Sequence, residues 1–131
     1  MIIALLYILF LENSGHLNHL VIEKLEQYRE EGFGIALSDL VELECLVRPL
    51  RTGNLLQIQI LKEFFRKKGH TWCQIDRETF FLAADIRARH GFKLGDSLHL
   101  AASVRNGCSL YLTNDKRLSS FTDIRVEALV P

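Results

Sequence analysis

The stretch Gly95-Asp96-Ser97-Leu98-His99-Leu100-Ala101-Ala102-Ser103, followed after a short turn by Ser109-Leu110-Tyr111-Leu112-Thr113-Asn114-Asp115-Lys116-Arg117, leaves this chain few ways to fold. Its first half reads as a helix that opens on an acid. Its second half reads as a buried strand, Leu110 to Leu112, running into a polar tip that ends on another acid. A carboxylate at a helix start and one just past a strand's C-terminal end meet above one edge of an α/β sheet, the edge where such folds place their ligands. Two acids converging there predict a divalent metal site, because hard cations such as Mg²⁺ take oxygen ligands and keep part of their water.

The remainder of the chain supplies the sheet. Ile2 to Leu11 is wholly apolar and reads as a buried strand, a buried helical turn, or one passing into the other. Leu17, Leu20, Val21, Leu25 and Tyr28 recur at helical spacing over His16 to Glu31, and Gly32 and Gly34 end that helix. Ile35 to Leu37 is a short strand. Ser38 or Asp39 caps the next helix, which turns Leu40, Val41, Leu43 and Leu46 inward, carries Glu42 and Glu44, and stops near Pro49. An amphipathic helix covers Leu55 to Lys67 and ends in the basic run Arg66-Lys67-Lys68-Gly69, which suits either a helix C-terminus or a nucleic-acid contact. Thr71 to Ile75 is a third strand, with Trp72 and Ile75 buried. Asp76 caps a helix that reaches His90 and turns Phe80, Leu82, Ala83, Ile86 and Ala84 inward, and Gly91 ends it. A helix from Asp96 to Asn106, with Asp96 as a candidate N-cap, a strand from Ser109 to Leu112 and a last strand from Ile124 to Leu129 complete the order. Strands alternating with helices predict an α/β fold, a three-layer α/β/α sandwich on a mainly parallel, roughly five-stranded sheet.

Composition narrows the class. At 131 residues the chain predicts a single domain, 1–131, large enough to bury a core without staples. Sixteen basic and sixteen acidic residues give a formal net charge of zero, which excludes an overall basic nucleic-acid platform but leaves room for a local patch. Cys45, Cys73 and Cys108 form no Cys-x-x-Cys pair and read as small buried thiols of a reduced, cytoplasmic protein. The apolar run at the start is too short to span a bilayer, which needs about 20 residues, and it lacks the pattern of a secretory signal.

Three segments together carry a resemblance. Asp96-Ser97-Leu98-His99-Leu100-Ala101-Ala102, then Leu112-Thr113-Asn114-Asp115-Lys116-Arg117-Leu118, preceded by Ser38-Asp39-Leu40-Val41-Glu42-Leu43-Glu44-Cys45-Leu46-Val47-Arg48-Pro49-Leu50, resemble the PIN-domain ribonucleases, and among them the VapC-type toxins of toxin-antitoxin pairs. The resemblance implies acids clustered over the C-terminal edge of a parallel sheet that bind Mg²⁺ or Mn²⁺ and cut RNA with metal-activated water. Matched residue by residue, Glu44, Asp96 and Asp115 are the implied catalytic and metal-binding acids. Thr113 and Asn114 shape the tip, and Lys116 and Arg117 are candidate phosphate contacts. The implied partners are an RNA substrate, a small antitoxin and a second copy of the chain in a homodimer.

One part of the pattern is missing. The family opens on a short strand ending in an aspartate, yet this chain has no acid before Glu12. Counting back from Glu12 puts the absent aspartate at Ile3, with Ala4 and Leu5 after it; a second placement puts it just upstream of Met1. Either way this polypeptide lacks an acid from the centre of the implied site. A recognisable but impaired nuclease is the expectation, with a non-catalytic, partner-binding relative as the alternative. A phosphoacceptor or small-ligand module using Asp96 or Asp115 is disfavoured, because no Gly-rich phosphate loop is present.

Overall fold

The computed structural model describes residues 2–4, 23 and 27–128. The part of the opening apolar run beyond Ala4, most of the helix expected over His16 to Glu31, and Leu129 lie outside the described residues. Five strands, β1 (Ile2–Ala4), β2 (Ile35–Leu37), β3 (Thr71–Trp72), β4 (Leu110–Thr113) and β5 (Arg125–Ala128), form one sheet in the order β3-β2-β1-β4-β5. Every pairing is parallel. Parallel strands need long crossovers, which the helices provide: α1 (Asp39–Thr52) and α2 (Leu55–Arg66) between β2 and β3, and α3 (Arg77–His90) and α4 (Leu94–Arg105) between β3 and β4. A 3₁₀ turn, Lys116–Ser120, links β4 to β5.

Neighbouring side chains on a strand point to opposite faces, and all four residues of β4 are buried. Both faces of the sheet are therefore covered, as the three-layer expectation requires. The core is built from Leu37, Leu61, Ile86, Leu100, Leu110 and Leu112, none of them more than 1 % exposed. Burying a side chain of this kind is worth about 1.5–3 kcal/mol, and that term holds the short strands together. The hydroxyl of Tyr28 donates to Glu127, tying residues 27–30 to β5.

Several local expectations need correction. Helix α1 does not stop near Pro49 but runs through it to Thr52, and it ends at Gly53 in the left-handed region at φ +68°. Pro49 sits in the last turn, where its missing N–H costs one hydrogen bond and its ring is buried. Leu43, expected inward, is 58 % exposed, and Phe80 is 54 % exposed while Thr79 takes the buried position on α3. Ala84 is exposed, and on the third strand Cys73 rather than Trp72 or Ile75 is the fully buried residue. All three cysteines are buried free thiols. No helix among the described residues is long and apolar enough to cross a membrane.

Candidate active site

Because every strand is parallel, the turns that follow them lie along one edge of the sheet, and that edge collects the acids. Asp115 lies two residues beyond β4. Its own amide donates to Thr113 Oγ1 at 3.1 Å, so Thr113 fixes the tip, while Asn114 is exposed. The Asp115 carboxylate accepts from the Arg117 amide at 2.9 Å and caps the 3₁₀ turn. It also receives the Arg117 guanidinium on both oxygens, Nε to Oδ1 at 3.0 Å and Nη2 to Oδ2 at 2.6 Å. That guanidinium holds the Asp115 carboxyl below its ordinary range.

Asp96 stands in the first turn of α4 but is not its N-cap; Lys93 holds that position without a side-chain bond. A carboxylate in a helix's first turn is favoured by the dipole, yet burial pushes the Asp96 pKa up, and the nearby charge of Asp115 pushes it further. Asp96 and Asp115 line one cleft of about 280 Å³ together with Lys93, Arg117 and His90. The structure thus brings these two predicted residues together beside Arg117; Lys116 is exposed.

Glu44 reaches the same edge from α1 but lies outside that cleft. Its Oε1 is 3.0 Å from Nε2 of His99, which is 5 % exposed. Glu44 has this room because residue 95 is glycine: a Cβ there would stand 3.3 Å from the same oxygen. The Glu44 charge still reaches Asp96, adding a smaller upward push. His99 and Gly95 are functional neighbours of the acids; His99 lies one turn from Asp96, where the sequence favours a hydrogen-bonded histidine, and it pairs with Glu44. The signal for His99 was a lone imidazole in the apolar run of α4, since a buried polar group needs a partner. Tyr111, buried in β4 beneath the cluster, is a third: burial raises its phenol pKa well above the ordinary value, and the charges of Asp96, Glu44 and Asp115 add to the shift.

Position 3, one placement of the absent aspartate, is level with Tyr111 and Ala36 by strand register. Among the described residues no three His, Cys, Asp or Glu side chains are grouped to hold a metal ion. With both Asp115 oxygens on Arg117 and one Glu44 oxygen on His99, a divalent cation held by these acids would have to displace those partners. The edge is an acidic cleft internally compensated by an arginine and a histidine.

Solved structures of similar architecture place this edge in a family context. The VapBC2 complex from Rickettsia felis, bound to a DNA fragment from its promoter, superposes with a TM-score of 0.73 at 15 % identity, covering 98 % of each chain. A toxin-antitoxin complex from Klebsiella pneumoniae gives 0.69 at 16 % identity over 94 % of this chain and 93 % of that one. Mycobacterium tuberculosis VapC20, a toxin that cleaves the sarcin-ricin loop, gives 0.68 at 15 % identity over 95 % of this chain and 98 % of its own. No curated protein sequence matches the chain. The family profile of the PIN domain matches residues 4–124, a span that takes in Glu44, Asp96 and Asp115, and the chain belongs to that family.

Proposed function

We propose that this chain is an RNA endonuclease of the PIN family, the toxin of a toxin-antitoxin pair, whose Mg²⁺- or Mn²⁺-dependent cleavage is impaired by the absence of the first aspartate. The observation that carries the reading is the pairing of Asp96 and Asp115 in one cleft at the C-terminal edge of the sheet, in a fold similar to VapC20 and VapBC2. Arg117 and Lys116 at the rim would meet the phosphates of an RNA strand. Thr113 holds the tip, and His99 holds Glu44. When bound, a divalent cation would polarise the scissile phosphate and activate water.

A small antitoxin is the proposed partner. Leu43, Val47 and Leu50 on α1 and Leu55, Leu56 and Ile60 on α2 are exposed large apolar side chains, which suit a protein contact. The same surface serves the proposed homodimer, and the cytoplasm is the proposed compartment.

A second reading, a non-catalytic PIN-family protein acting through its partner, is favoured by the clamp of Arg117 on Asp115 and by the lack of a three-ligand group among the described residues. Magnesium-dependent cleavage of RNA by the unaltered chain and by Ile3→Asp separates the two. The expected result is weak cleavage that rises about 10²-fold in the variant, since misplaced reacting groups cost about that much. Full activity in the unaltered chain overturns impairment. No cleavage by either protein, with the fold intact, overturns the nuclease reading and leaves the partner-binding one.

A further inference from the structure

The opposite edge of the sheet carries a cleft that the acids do not explain. It lies where β2 and β3 begin, between the turn after residues 27–30 and the turn after α2, and has a volume of about 270 Å³. Arg29, Lys67 and Lys68 line it, with Phe33, Phe64 and His70. Among the described residues no acidic side chain lines it, and none of these three cations makes an ion pair.

Helix C-termini attract cations, and two helical segments end here, residues 27–30 and α2. Each such end carries about half a negative elementary charge, so the two offset roughly one of the three formal positive charges and leave about two. His70 lies in the same cleft. Its Nε2 lies 3.1 Å from the Phe64 carbonyl oxygen and its ring centroid 4.6 Å from that of Phe64. Burial depresses its pKa, and the charges of Lys67 and Arg29 depress it further. Like charges brought together from segments far apart in sequence cost free energy when empty, and a concave wall focuses their field on an anion. The volume falls just under the roughly 300–1,000 Å³ of drug-sized ligand sites, which suits one phosphate and its sugar rather than a large cofactor. Backbone at Gly34 and Gly69 also lines the cleft, and no side chain at either position restricts the approach.

We propose that the cleft of Arg29, Lys67, Lys68 and His70 is a phosphate-binding site, separate from the acidic edge and independent of cleavage there. Its ligand is a phosphate group, carried by an oligonucleotide backbone or free in solution.

The test follows backbone amide resonances of the full chain titrated with inorganic phosphate, and separately with a cleavage-resistant 2′-O-methyl oligoribonucleotide. Shifts at Gly34, Gly69 and His70 with phosphate alone assign a free-phosphate site; shifts there with the oligonucleotide only assign a backbone site, and either result supports the proposal. The triple variant Arg29→Gln, Lys67→Gln, Lys68→Gln is expected to weaken the ligand that binds by about tenfold and to flatten its salt dependence. Lys62→Gln with Arg66→Gln, a charge loss on α2 outside the cleft, should leave binding within about twofold. Equal weakening by the two variants, or no shift with either ligand, overturns the proposal.

Discussion

The two edges of the sheet hold charge in opposite ways, in a chain whose formal total is zero. At the C-terminal edge two of the three acids have a partner of their own, Asp115 in Arg117 and Glu44 in His99, and only Asp96 is left to burial and its neighbours. At the N-terminal edge Arg29, Lys67 and Lys68 share a cleft with no acid among the described residues of its lining. Net charge conceals this, because neutrality over the chain says nothing about which charges are answered locally. A compensated edge is stable as it stands and must lose an internal partner before it gains a ligand. An uncompensated edge gains by binding.

Substitutions at four positions would break or sharpen that contrast. The largest effect belongs to the floor both edges share: Leu112→Ala, at a fully buried position in β4, should cost about 2–5 kcal/mol of stability in chemical denaturation. Loss of structure confined to one edge, rather than a single cooperative transition, would show that the edges are not held by one sheet. Next, His99→Phe strips Glu44 of its partner inside a packed helix, and the expected loss is about 1–3 kcal/mol, toward the lower end because Glu44 keeps some access to water. His99→Gln, able to donate to the same oxygen, should recover part of it; identical losses in the two variants would mean that packing, not the hydrogen bond, is what His99 supplies.

Asp96→Asn should act in the other direction. A carboxyl whose folded pKa is raised favours its protonated form, so its contribution is present below the unfolded pKa and lost as pH rises through the folded one. At neutral pH the neutral amide is therefore expected to raise the melting temperature by the equivalent of up to about 1 kcal/mol, an advantage that disappears in acid. A lower melting temperature at neutral pH would mean that Asp96 is better compensated than its surroundings indicate. The smallest effect is expected for Arg117→Gln. The pair with Asp115 is exposed, and such pairs contribute about 0–1 kcal/mol. A cost well above that, insensitive to salt, would make the arginine a structural clamp; a cost near zero would leave Asp115 open to any cation that competes for it.

Much of the frame was legible because hydrophobic period and capping chemistry report local structure. Asp76 as a cap, Gly91 as a stop and the buried run at Leu110–Leu112 all stand as read. So does the convergence of Asp96 and Asp115, which follows from where a helix start and a strand end must meet. What could not be read was direction and partnership. Leu43 and Phe80 fit an inward stripe by spacing alone, yet they face solvent while Val41 and Thr79 take the buried positions. Pro49 reads as a stop, yet in a last turn the missing N–H removes a single bond and α1 continues to Thr52. The bonds from Arg117 to Asp115 and from His99 to Glu44 depend on side-chain geometry, two residues apart in one case and on separate helices in the other, and no periodicity encodes them.

The order of the strands also bears on how the protein is made. β1 is the middle strand, yet one of its two neighbours, β4, lies at the far end of the polypeptide. During synthesis β1 waits for β4 before its second side is covered, and contacts so distant in sequence form slowly. The acidic cleft, which needs Asp115 beyond β4, cannot exist on any nascent chain that stops short of it.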